Sequence, residues 1–120
     1  MTEFLKVFKA LSDKNRVRII KMLEVRELCV CEITEILNLA PSTVSKHLSI
    51  LKDANLISDE KVGKWVNFKI NEEIDKDFIK TILSILKDNL NDINIIKNDK
   101  SFVVNVDRNI ICNINIGVKK

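Results

Sequence analysis

Residues 41–54 read PSTVSKHLSILKDA, a run that opens on a proline and carries one apolar stripe. Pro41 suits the first position of a helix, where its missing N–H leaves no hydrogen bond unmade. Ala40 then becomes the N-cap, a poor one that costs about 1 kcal/mol relative to Ser. Inside the run Val44, Leu48 and Leu51 recur at i, i+4 and i+7 and predict an inward stripe. The opposite face therefore carries Ser42, Ser45, Lys46 and Ser49, flanked by Thr43 and His47.

Upstream, Val30–Leu37 is a short helical segment, with Ile33, Ile36 and Leu37 at apolar spacing, and it stops at Asn38-Leu39-Ala40. Before it, Phe4, Leu5, Phe8 and Leu11 predict a first amphipathic helix ending near Ser12, which can cap the next helix through Val17, Ile20 and Leu23. Downstream the period changes to two. Leu56–Val62, a Gly63-Lys64 turn and Trp65–Ile70 predict a β-hairpin. The helical period returns over Asp75–Ile96, where Ile79, Ile82, Leu83, Leu86, Leu90 and Ile93 line one side and Phe78 and Ile85 widen it. A monomer this small cannot cover so wide a stripe and that of the first helix as well, which argues for pairing with a second copy. In the tail, Ser101–Lys120, apolar residues fall on even positions and Asp107-Arg108-Asn109 lies midway, the pattern of a second β-hairpin. The expected organisation is thus a mainly α domain over 1–96 and a carboxy-terminal β-hairpin extension over 97–120.

With 120 residues, 46% hydrophobic, 31% charged, 2 Gly and 1 Pro, the chain has the make-up of one compact, largely helical domain. Its net charge is only +3, and residues 1–70 hold 12 Lys or Arg against 9 acids while the remainder balances. The basic excess therefore sits entirely in the first part of the chain, in keeping with a nucleic-acid partner, although phosphate binding depends on clustering more than on totals. The amino terminus has no uninterrupted apolar run, so neither a signal peptide nor a spanning helix is expected, and a cytoplasmic setting follows. Three cysteines, two of them one residue apart, make a poor disulfide framework and favour metal or redox chemistry. A lone His leaves little acid–base machinery, so an enzyme is not expected.

Two short helices joined by a tight turn, the second presenting hydroxyls and cations, match the device that reads a major groove. Ser42, Thr43, Ser45 and Ser49 are suited to phosphates and base edges at close range, Lys46 to neutralising a phosphate, and His47 to donating from either nitrogen. In the hairpin Lys61, Lys64 and Lys69 would lie along the neighbouring backbone.

The runs FKALSDKNRVRIIKMLEVRELCVCEI (8–33), APSTVSKHLSILKDANLI (40–57) and GKWVNFKI (63–70) resemble the ArsR/SmtB family of metal-responsive repressors, over roughly residues 4–96. The resemblance implies a winged helix-turn-helix homodimer, joined through its first and fifth helices, that holds double-stranded operator DNA until an inducer lowers its affinity.

Cys29 and Cys31 open the third helix. On a regular helix residues two apart point about 200° apart, so both sulfurs would meet one ion only if the helix end unwound, which would also disturb the helix beyond it. A helix N-terminus further lowers a thiol pKa and favours soft ions. By resemblance this motif is the arsenite and antimonite site of arsenic-responsive members, with Thr34 standing where the nearest of them hold a third Cys; Cys112 is the remaining candidate ligand. No constitutive cofactor is expected, and the inducer is arsenite, antimonite or another soft thiophilic ion. Two alternatives are a thiol-redox or persulfide switch that uses Cys112, and a constitutive DNA-binding protein with inert cysteines.

Overall fold

The computed structural model describes residues 1–111. Its elements are α1 (Thr2–Leu11), α2 (Lys14–Leu23), β1 (Leu28–Cys29), α3 (Val30–Leu37), α4 (Pro41–Asp53), β2 (Ile57–Val62), β3 (Trp65–Ile70), α5 (Asp77–Asp88) and α6 (Asn94–Asn105). The helices enclose a core built from Val7, Ile19, Ile20, Met22, Ile33, Val44, Leu48, Leu51 and Ile79. No helix of the described residues is long and apolar enough to cross a membrane.

The predicted hairpin forms, with Val62 opposite Trp65 and Ile57 opposite Ile70. Gly63 holds the turn at φ +61, a left-handed conformation that glycine adopts at little cost. A two-residue strand joins its other edge, pairing Leu28 with Phe68 and Cys29 with Asn67, so the sheet order is β1-β3-β2. This edge fixes the start of α3 to the wing. Between α3 and α4, Asn38 adopts the left-handed conformation at φ 55 and closes the tight turn.

Three expectations are corrected. Ser12 does not cap α2: its hydroxyl donates back to Lys9 O at 2.7 Å, and Asp13 is the cap, its Oδ1 accepting from Asn15 N at 2.8 Å and Arg16 N at 3.1 Å. The single helix read over 75–96 is two. After Asp88 the chain turns, with Leu90 at φ 70, in a stretch rich in Asn and Asp, whose side chains favour turns. The fully buried Lys21 donates there to Leu86 O and, at 2.9 Å, to Asn89 O, taking the carbonyls that a continuing helix would need.

The third correction is the tail. Residues 101–105 belong to α6, which runs across the boundary expected at 96/97, and 108–111 form a further helical turn; the part of the predicted hairpin beyond residue 111 lies outside the described residues. The alternating apolar residues misled because Phe102 and Val104 are exposed, at 44% and 69%. The buried positions of α6 are Ile96, Asp99 and Val103, at helical spacing. Asp99 can be buried because Arg18 grips it bidentately, Nε to Oδ2 at 2.8 Å and Nη2 to Oδ1 at 2.9 Å.

The stripe of α1 points outward. Phe4, Leu5 and Phe8 are 48%, 55% and 50% exposed, while Val7 and Ala10 face the core. Together with Ile85 of α5 they leave an apolar surface of the kind that pairs with another chain.

Removing one partner of a buried ion pair leaves the other uncompensated, so Asp99→Ala should lower stability by about 3 kcal/mol. Denaturant unfolding measures the loss, and amide exchange should show α6 opening first; unchanged protection over 94–105 would contradict this account of its docking.

Candidate nucleic-acid interface and cysteine cleft

Helix α4 sorts its side chains as its stripe requires. Val44, Leu48 and Leu51 are buried, while Ser42, Thr43, Ser45, Lys46 and Ser49 are exposed on the outer side. His47 differs from these. It is half-buried, and its Nδ1 lies 3.1 Å from Nη1 of Arg16 on α2, so it is not open at both nitrogens as the sequence suggested. Lys6 of α1 pairs with Asp53 at 3.1 Å, and Lys52 with Asp59 of β2 at 3.0 Å. These contacts tie α4 to α1 at one side and to the wing at the other. Arg16 and Lys52 were not singled out from the sequence, since nothing in their spacing marks them.

On the wing Lys61 and Lys64 are exposed. Lys69 is half-buried and 3.5 Å from Glu60, so its charge is partly balanced. Lys64 Nζ lies 4.9 Å from the centre of the Trp65 ring and the Arg108 guanidinium 5.7 Å from it, two cation–π contacts on one indole.

The cysteines are not two apart on a helix. Cys29 is the last residue of β1 and the N-cap of α3, with extended backbone at φ −93 and ψ 169, whereas Cys31 lies in the first turn. Leaving the helix at Cys29 turns its side chain back over the helix end, and the two Sγ atoms are 3.4 Å apart. No unwinding is needed to bring them together. With metal–sulfur bonds of about 2.3 Å, sulfurs at that spacing subtend roughly 95° at a shared ion, a fit to the chemistry of a soft thiophilic ligand.

Cys29 also completes a capping box: its sulfur accepts from the backbone N–H of Glu32, and Glu32 Oε1 accepts from Cys29 N–H at 3.0 Å. Burial pushes the Cys29 thiol pKa up and the Glu32 carboxylate adds to this, outweighing the Glu32 N–H and the charge of Arg108. At Cys29, the lowering expected from a helix N-terminus is therefore outweighed.

Glu32 is fully buried. Burial alone would raise its pKa, but Arg26 at 2.8 Å, the Cys29 N–H and Arg108 at 2.9 Å together hold it below the ordinary value. Arg26 further donates to Val103 O at 3.2 Å and Val106 O at 3.4 Å, at the end of α6. The carboxylate thus gathers the start of α3, the loop after α2 and the chain beyond α6.

Cys29, Cys31 and Thr34 form one wall of a cleft of about 230 Å³ whose other walls are Pro41, Lys64, Trp65 and Val66. The first residue of α4 and the wing turn therefore meet the sulfurs across one space. The Thr34 hydroxyl is buried there with no hydrogen-bond partner among the described residues. Among the described residues no group of three His, Cys, Asp or Glu is placed to hold an ion. Cys112 lies outside the described residues.

A family profile described as bacterial regulatory protein, arsR family, matches residues 13–59. The arsenical resistance operon repressor of Bacillus subtilis is 46% identical over 67 residues, 55% of this chain and 64% of that protein. This chain thus spans less than two thirds of that repressor's length. The transcriptional repressor SdpR of the same organism is 33% identical over 87 residues, 72% of this chain and 97% of that protein. Among solved structures, reduced HlyU from Vibrio cholerae superposes with a TM-score of 0.60 at 25% identity, covering 72% of this chain and 87% of that one.

Glu32→Gln keeps the side chain's shape but removes the charge that two arginines face. At neutral pH it should cost about 3 kcal/mol. Because the folded-state pKa of Glu32 is lowered, its stabilisation is present above the ordinary carboxylate range and lost as pH falls through the folded value. The gap between wild type and variant should therefore narrow on acidification, which unfolding curves at neutral and acid pH will show; a constant gap would exclude the ionised carboxylate as its source.

Proposed function

Because this chain belongs to the arsR family of bacterial regulatory proteins, we propose that it is a transcriptional repressor whose homodimer is displaced from operator DNA when trivalent arsenic or antimony binds Cys29, Cys31 and Cys112. The observation that carries the reading is the shared cleft, where the sulfur pair faces both the first residue of α4 and the wing turn. Similarity to an arsenical resistance repressor supports the choice of inducer.

In the DNA-bound state α4 enters the major groove. Ser42, Thr43, Ser45 and Ser49 bond phosphates and base edges, Lys46 neutralises a phosphate, and His47 donates. Lys61 and Lys64 follow the adjoining backbone, with Lys69 contributing less because Glu60 already engages it. The exposed face of Phe4, Leu5, Phe8 and Ile85 supports dimerisation through α1 and α5.

A trivalent arsenical takes three ligands. Two come from Cys29 and Cys31, whose spacing suits a common ion. Cys112 follows Arg108 by four residues in the sequence, and Arg108 is anchored to Glu32 beside the cleft. Ligation takes the Cys29 sulfur from its capping bond and fills the space between the start of α3, Pro41 and the wing. The recognition helix and wing then lose the relative placement that DNA requires, a shift in population toward a weakly binding form.

The Cys29→Ser, Cys31→Ser double variant should bind operator DNA as wild type does and no longer let go on arsenite addition. Anisotropy titration of the labelled complex measures this; release at the wild-type arsenite concentration would remove both cysteines from the sensor.

Lys46→Ala should weaken DNA binding and reduce the log–log salt slope by about 1. If the slope is unchanged, Lys46 does not touch a phosphate.

A further inference from the structure

Arginine carries five N–H donors and no acceptor. At position 16 the guanidinium is held on several sides. Nε donates to Ala10 O at 2.7 Å and Nη2 to Lys9 O at 3.4 Å, capping the last turn of α1, while the backbone N–H of Arg16 is bound by Asp13. From that fixed position Nη1 reaches Nδ1 of His47 on α4, at 3.1 Å.

A group that only donates requires an acceptor opposite it, so Nδ1 of His47 carries no proton. The proton of the neutral imidazole is then on Nε2. Nε2 makes no hydrogen bond to the described residues and is not among the buried polar atoms that lack a partner. It remains available on the helix that presents Ser45, Lys46 and Ser49 outward.

We infer that Arg16 is a positioning residue that locks His47 in its Nε2–H tautomer and so makes it an obligate hydrogen-bond donor to DNA. The inference rests on the proposed reading of α4 as the DNA-facing helix. An unconstrained imidazole can present either a donor or an acceptor. Held by Arg16, His47 can address a phosphate oxygen or a base-edge acceptor (purine N7, guanine O6 or thymine O4), but cannot accept from the amino groups of cytosine or adenine. Arg16 thus sets base preference at a position it need not touch, and does so from the first turn of α2, braced against the end of α1.

The first test is a long-range ¹H–¹⁵N correlation spectrum of the full chain, recorded on the neutral imidazole. A protonated Nε2 and bare Nδ1 in wild type, giving way to a tautomer mixture in Arg16→Met, is the expected result. A protonated Nδ1 in wild type overturns the inference whatever the variant does to stability. The second test uses a duplex selected by the wild-type protein from a random pool. His47→Gln, which keeps an amide donor near the Nε2 position, should bind within about threefold of wild type, and His47→Met should lose roughly tenfold, the scale of one base or phosphate contact. Duplexes carrying 7-deazapurines, methylphosphonates, or base analogues that lack the guanine O6 or thymine O4 acceptor should abolish that tenfold difference at one site and so identify the atom that accepts; persistence in every set overturns the donor role. If Lys46→Ala weakens binding and His47→Met does not, this inference alone fails. If neither variant weakens binding, the reading of α4 as the DNA helix fails with it.

Discussion

A carboxylate with no access to water has to be compensated by nearby positive charge and hydrogen bonds, and Glu32 meets that demand by drawing in three parts of the chain. Arg26 comes from the loop after α2, Arg108 from the turn beyond α6, and the Cys29 N–H from the strand before α3. Each of these partners has further attachments. Arg26 reaches the last carbonyls of α6, and Arg108 lies over Trp65 of the wing. The buried charge is therefore a junction at which the cysteine pair, the wing and the carboxy-terminal helix are held in register. Asp99 with Arg18, and Glu24 with both Lys21 and Lys100, repeat the device along α2, fastening α6 and the end of α5 to the same helix.

This arrangement changes the physical account of how a sulfur pair could act on DNA contacts. Two cysteines within one helix would demand that the helix unwind. Here the helix has already ended at Cys29, whose sulfur serves as a cap in a box usually completed by Ser or Thr. A cap is a weak bond with a large positional effect, because it fixes where the chain leaves the sheet and enters the helix. The cleft adds a direct route, since a ligand at the sulfurs stands against Pro41 and the wing turn without intermediate side chains.

The contacts around α4 divide its work. Its buried stripe holds it to the core, Lys6 and Arg16 tie it to α1, and Lys52 ties it to the wing, leaving the hydroxyls and Lys46 uncommitted among the described residues. Helix α1 meanwhile keeps its aromatic face outside. In the proposed dimer, the element that would meet a second copy is thus the one that ties down α4, and the association of two chains would be mechanically linked to the placement of that helix.

The sequence by itself determined the helix–turn–helix and the hairpin, because Pro41, the i, i+4, i+7 stripe, Gly63 and the period-two run act through local chemistry that needs no distant partner. It also marked the outward residues of α4 and the cysteine pair. Tertiary structure alone decided the rest. Whether Asp99 is inside depends on Arg18, 81 residues away, so a helix with a buried charge looked like an alternating strand. Whether α5 continues depends on the buried ammonium of Lys21, and whether Cys29 stands in or before α3 depends on β1 pairing with β3. His47 has one committed nitrogen because α1 and α2 deliver Arg16 to it. In each case a buried charge or an edge strand acquires its meaning from a partner distant in the chain, and periodicity along the chain carries no record of that partner.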